Sequence, residues 1–152
     1  MRAMGLDVGT KTIGVAVSDG LGLTAQAITT VRRTNLKADL AALSELVREH
    51  EVSRLVVGLP LNMDASEGPR AEASRKFAEV AGQSLGLPVE FWDERLSTVA
   101  AERTLLEADL TRAKRRQVID QVAAQFILQG WLDAHRPVGD LHADDFDPEP
   151  FE

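Results

Sequence analysis

The chain has 152 residues, 44% of them hydrophobic, no cysteine and a formal net charge of −7. That length supports one proper core, and the composition excludes a disulfide framework and a thiolate zinc site. No apolar run approaches the roughly 18 residues of a membrane span, and the start MRAMGLDVG lacks the apolar stretch and cleavage site of a secretory signal, so a cytoplasmic protein is expected. Six of the 24 acidic side chains fall in residues 137–152, which hold no Lys or Arg, so residues 1–136 carry 18 acids against 17 bases. The segment 137–152, with Pro137, Pro148 and Pro150, reads as an acidic disordered tail on a single domain spanning 1–136.

In chain order, two strands are expected at about 2–8 and 12–18, joined by a hairpin turn at Gly9-Thr10-Lys11. Alternation puts Met4, Leu6 and Val8 on one face of the first strand and Gly5, Asp7 and Gly9 on the other. It also sets Ile13, Val15 and Val17 against Gly14, Ala16 and Ser18. A third strand near Thr24 to Arg32 completes a meander, after which Thr34 or Asn35 can cap a helix with the stripe Leu36, Leu40, Leu43, Leu46 and Val47. Leu55-Val56-Val57 suits an interior parallel strand, and LPLNMDASEG (Leu59 to Gly68) is a loop. Pro69 opens a second helix with Phe77, Val80, Ala81 and Leu85 buried, Gly86 ends it, and Pro88 to Trp92 form a fifth strand. Ser97 or Thr98 can cap a helix through Leu106, and Thr111 a long last helix carrying Val118, Val122, Phe126, Ile127 and Trp131. The order βββ-α-β-α-β-α-α predicts an α/β fold: a mixed five-stranded sheet, three strands antiparallel and two parallel, flanked by helices.

The chemistry lies in acids that the pattern does not explain. Acids are depleted from strands, so Asp7, projecting from a face stripped of bulk, must be paired, hydrogen-bonded or metal-bound. Asp93 or Glu94 stands at the end of the last strand, where a first-turn acid favoured by the helix dipole is the bland alternative. Asp120 lies beside an apolar stripe, where an ion pair with Arg116 one turn earlier is the alternative. Carboxylates from separate elements are the ligands that Mg²⁺ or Mn²⁺ prefers, and two such ions about 4 Å apart would clamp the attacking and leaving oxygens of a phosphodiester. The cluster Arg112, Lys114, Arg115 and Arg116 opposes the dipole at the start of its helix and suits a polyanionic partner, while Lys11 in the first turn, and Arg95 beside the strand-end acids, are placed to touch phosphates. The three histidines show no ligand spacing.

The runs GLDVGTKTIGVAVSD (Gly5 to Asp19), VGLPLNMD (Val57 to Asp64), DERLST (Asp93 to Thr98) and VIDQVAAQFILQGWLD (Val118 to Asp133) together strongly resemble the YqgF/RuvX family. The resemblance spans nearly everything from Met4 to Asp133, and it implies a ribonuclease-H-like fold related to Holliday-junction resolvases. It also implies a nuclease assigned to the 5′ end of pre-16S ribosomal RNA, with metal-binding acids at Asp7, Glu94 and Asp120. Two positions depart from the family: Ala65 stands where many members have glycine, and Gln117 where lysine is common.

The expected activity is therefore metal-dependent hydrolysis of RNA by activated water, with resolution of branched DNA as the alternative and a homodimer plausible for a two-fold junction. The D-x-G-T turn also resembles that of sugar kinases and actin-like ATPases, but those close two large domains around a nucleotide, which one 152-residue domain cannot supply. A non-catalytic nucleic-acid-binding module would be handicapped by acids inside its strands.

Overall fold

The computed structural model describes residues 2–96 and 112–135, with side chains in the last helix described from residue 119 onward. The expected meander forms as β1 (Arg2–Val8), β2 (Thr12–Ser18) and β3 (Ala25–Arg32). Asn35 takes the cap position of α1 (Leu36–Glu49), its side chain accepting a hydrogen bond from the Ala38 amide at 2.9 Å. Then follow β4 (Val52–Leu59), α2 (Pro69–Leu85), β5 (Val89–Asp93), a single 3-10 turn at Glu94–Leu96, and α3 (Arg112–Ala134). The helix expected from Ser97 or Thr98 through Leu106, the Thr111 cap and the tail at 137–152 lie outside the described residues. Among the described residues no helix is long and apolar enough to cross a membrane.

The sheet order is β3-β2-β1-β4-β5, with β1–β2 and β2–β3 antiparallel and β1–β4 and β4–β5 parallel, as the order of elements requires. The two sheet faces differ in bulk. Met4, Leu6, Val8, Ile13, Val15, Val17, Leu55 and Val57 form the larger core with Leu43 of α1 and Phe77, Ala78 and Ala81 of α2. Opposite, Ala3, Ala16, Ala25 and Val56 meet Ala123, Ala124, Ile127, Leu128, Trp131 and Leu132 of α3.

That second face is lined with small residues, so α3 lies unusually close to the sheet. A Cβ on Gly5 would sit 2.7 Å from Leu128 Cβ, and one on Gly14 would overlap the main-chain carbonyl of Asp120. Two residues of the expected stripes stay at the surface. Leu36 is exposed because α1 meets the core only from Leu40, one turn in, and Val80 is exposed because the contact line of α2 runs through Ala71, Ser74, Phe77, Ala78 and Ala81 to its side.

The loop after β4 is held by its own hydrogen bonds. The Asn62 amide donates to Ser66 O and the Ala65 amide to Asn62 O, both at 2.9 Å, while Ser66 donates through its amide and hydroxyl to Asp64 Oδ1 at 3.0 and 2.6 Å. The Ser66 hydroxyl holds the Asp64 carboxyl below the usual carboxylate range. Closing this loop forces Ala65 to φ 73°, a left-handed conformation that glycine adopts without steric penalty. Ala65→Gly should therefore stabilise the protein by about 1 kcal/mol, raising the thermal midpoint by roughly 2–4 °C. A lowered midpoint would mean that the loop is not strained at Ala65. Gly14→Ala should cost at least about 2–3 kcal/mol in urea denaturation, because the clash is with helix backbone that no rotamer change relieves. Unchanged stability would show that α3 stands further from β2 than described.

Candidate active site

Asp7, near the carboxyl end of β1, is 4% exposed, and strand alternation turns it away from the Leu6 and Val8 core toward α3. In the β1–β2 ladder it stands directly opposite Gly14. On its other side the pairing of Leu6 with Val57 brings Gly58 of β4 level with it. Asp7 is thus flanked in the plane of the sheet by two residues without side chains.

The other two acids approach over those glycines. A Cβ on Gly58 would lie 2.7 Å from Glu94 Oε2, and a Cβ on Gly14 would strike the Asp120 carbonyl. Glu94 opens the turn that follows β5, and Asp120 lies half-buried on α3, its carboxylate Oδ2 accepting a short hydrogen bond from the Thr12 hydroxyl at the start of β2. Elements far apart in sequence therefore bring oxygen atoms to both flanks of a buried carboxylate. Among the described residues no three acidic or histidine side chains are grouped closely enough to grip one ion together. The donor set is nonetheless of the kind hard divalent cations take, carboxylate oxygen with neither thiolate nor imidazole among the residues gathered around Asp7, and an oxygen atom stands against each flanking glycine, the Glu94 carboxylate at Gly58 beside Ile127 and the Asp120 main-chain carbonyl at Gly14.

Asp93 and Glu94 separate clearly. Asp93 is held by Arg95, with Nη2 2.7 Å from Oδ2 and Nε 3.1 Å from both oxygens, and that hydrogen-bonded pairing keeps its carboxyl below the usual range. The same contact raises Arg95, whose Nη1 also donates to Met63 O at 3.1 Å. Asp93 and Arg95 therefore form a clamp that fastens the 59–68 loop to the end of β5, and Glu94 is the acid whose Oε2 lies over Gly58, the strand neighbour of Asp7. Lys11 is exposed in the β1–β2 turn, with no carboxylate partner among the described residues. The side chains of Arg112, Lys114, Arg115 and Arg116 lie outside the described residues, and with them the ion pair considered between Arg116 and Asp120.

Several contributors were not singled out from sequence. Thr12 shares the face of Asp7 by alternation with Gly14, and that was the available signal for a hydroxyl near the acid. Arg33 and Asp39 left no such signal. Asp39, 2% exposed in the first turn of α1, accepts from the Thr34 amide at 3.1 Å and pairs with Arg33 Nε at 3.3 Å. Arg33 in turn donates to Gly9 O at 2.8 Å and lies over the Phe77 ring, so this pair pins the turn beyond Asp7 to the start of α1.

The sequence model of the RuvX family, described as a Holliday junction resolvase, matches residues 1–134. A protein of Myxococcus xanthus is 78% identical over 151 residues, covering 99% of this chain and 100% of that one, and so continues into the acidic tail. A protein of Moorella thermoacetica is 70% identical over 133 residues, covering 88% and 95%. Both bear the name "Putative pre-16S rRNA nuclease". Among solved structures, RuvC of Thermus thermophilus in complex with a Holliday junction substrate superposes with a TM-score of 0.57 at 15% identity, covering 90% of this chain and 97% of that one. A second Thermus thermophilus RuvC structure gives 0.53. At such identities the likeness concerns the fold, which is ribonuclease-H-like as expected. With its family model matched from residue 1 to 134 and relatives sharing most of its residues end to end, this chain belongs to the RuvX family.

Proposed function

We propose that this protein is a nuclease that hydrolyses phosphodiester bonds in RNA, acting in the cytoplasm on the 5′ end of pre-16S ribosomal RNA with a divalent ion bound by Asp7, Glu94 and Asp120. The observation that carries the reading is the approach of Glu94 and Asp120 over the two glycines beside Asp7, in a chain whose close relatives are named as nucleases. Bound there, Mg²⁺ or Mn²⁺, as one ion or a pair, would offset charge building on the phosphoryl oxygens and make water a better nucleophile.

The chain's own residues set the geometry. β1, buried on both faces, fixes Asp7 as the least mobile member of the trio. Thr12 would orient Asp120 by donating to one carboxylate oxygen, leaving the other oxygen without that bond and available to a cation. Glu94 is carried on a turn whose position the Asp93–Arg95 clamp secures. Lys11, with Arg95 and the Arg112, Lys114, Arg115 and Arg116 cluster, would attract and position the phosphate backbone without reading sequence. No covalent enzyme intermediate is needed: the work is positioning and charge stabilisation.

A second reading is cleavage of branched DNA, favoured by the family's description and by the fold shared with RuvC solved on a junction. A homodimer would match the two-fold symmetry of such a substrate. The same trio could cut either backbone, and the 2′-hydroxyl and helix shape would decide between them.

Purified protein with Mn²⁺ should cut a labelled RNA carrying the pre-16S 5′ leader faster than a four-way DNA junction. The opposite preference would favour the second reading, and failure to cut either would overturn the nuclease reading. Asp7→Asn should lose at least about 100-fold in metal-dependent cleavage. Its thermal midpoint in chelator should hold or rise, since repulsion among the acids is relieved. Full activity in that variant would remove Asp7 from the mechanism.

A further inference from the structure

We infer that Arg70 is a backbone-positioning residue whose guanidinium receives a phosphate of the strand crossing the carboxylate site, an inference that rests on the nuclease reading above. Arg70 is the second residue of α2, and its side chain reaches back to the end of β1, where Nη2 donates to Val8 O at 3.4 Å. Val8 follows Asp7 directly. The guanidinium is therefore anchored next to the central acid of the site by one long hydrogen bond, with its remaining N–H groups uncommitted among the described residues.

Arg70 differs in charge balance from two neighbouring arginines at this end of the sheet. Arg33 is paired with Asp39, and Arg95 with Asp93. The acids nearest Arg70 in sequence are otherwise engaged or turned elsewhere. Glu67 is held by Arg75 through Nε at 3.0 Å and Nη2 at 2.5 Å, and Asp64 is engaged by Ser66. Glu72 stands two positions along the helix, a spacing at which side chains do not face each other. No described carboxylate pairs with Arg70, which is exposed, and the same holds for Lys11 three residues beyond Val8 in the adjoining turn.

Uncompensated cations are what a site built around three carboxylates requires if a polyanion is to lie across it. A guanidinium offers a planar fork of donors matched to phosphate oxygens, and one already tethered to a main-chain carbonyl loses less freedom on binding. Because such a contact carries no base information, its effect should be the same for every sequence.

The test is binding, measured in chelator so that nothing is cut, of a labelled single-stranded RNA and of a four-way DNA junction over a range of salt concentrations. Arg70→Gln should weaken both about fivefold at low salt and make the dependence of log K on log salt shallower by about 0.7 for the RNA or 0.9 for duplex arms. Arg70→Lys should keep most of the affinity and the wild-type slope. Arg70 is exposed, so both variants should keep the wild-type thermal midpoint within about 2 °C, and Arg70→Met, which preserves the packing of the stem, repeats the measurement if the glutamine variant does not. Wild-type affinity and slope in Arg70→Gln, or weaker binding with an unchanged slope, would overturn the assignment while leaving the nuclease reading intact. Wild-type protein that binds neither probe would overturn both.

Discussion

Two absent methyl groups govern the geometry of the carboxyl end of this sheet. If Gly14 carried a Cβ it would collide with the main chain of α3 at Asp120, and if Gly58 carried one it would press on Glu94 Oε2 and on Ile127 Cδ1 at 2.5 Å. At Gly14 the overlap is with main chain, so the addition must displace the helix, whereas at Gly58 the ends of the Glu94 and Ile127 side chains must give way. Because the two glycines lie on either side of Asp7, the close seating of α3 and the presence of oxygen atoms against both of its strand neighbours go together. The small residues of this face, Ala3, Gly5, Ala16 and Ala25, extend the same seat along the sheet.

The arrangement also explains how a domain holding one more acid than bases can be read as handling a polyanion. Several of its cations are locked into the scaffold. Arg33 and Asp39 pin the β1–β2 turn to α1, Arg75 and Glu67 secure the start of α2, and Arg95 and Asp93 clamp the 59–68 loop to β5. Pairs of this kind contribute modest stability when exposed, but each fastens a connection adjoining the carboxylates. Lys11 and Arg70 have no acidic partner among the described residues, so positive charge that can attract phosphate stands beside the acids.

Much of this was legible in the amino-acid order, for physical reasons. Period-2 alternation with unequal bulk on the two faces located β1 and β2 and put Asp7 on the lean face, and Asn35, Pro69 and Gly86 marked helix boundaries through capping chemistry that acts over a few residues. The five-stranded mixed sheet followed from the order of elements alone. What escaped was whatever depends on contacts distant in sequence. Nothing local reveals that Thr12 bonds to Asp120 across 108 positions or that Arg33 reaches Gly9 across 24. The exposed Leu36 and Val80 show the converse limit, since an apolar residue at helical spacing is buried only where a neighbouring surface happens to reach it. Ala65 lies between these cases: its departure from the family's glycine was visible, and its left-handed φ of 73° supplies the reason glycine suits that position.

The claim on which function depends is that Asp7, Glu94 and Asp120 enclose one cation-binding space between α3 and the sheet. Diffraction from crystals soaked in Mn²⁺, with data collected to record its anomalous scattering, tests this directly. Anomalous density beside Asp7, within about 2.0–2.3 Å of a carboxylate oxygen of Asp7 and of one of the other two acids, with ordered water completing the shell, is the expected result. Density only at other acids, or none at concentrations that saturate metal-dependent cleavage, would contradict it.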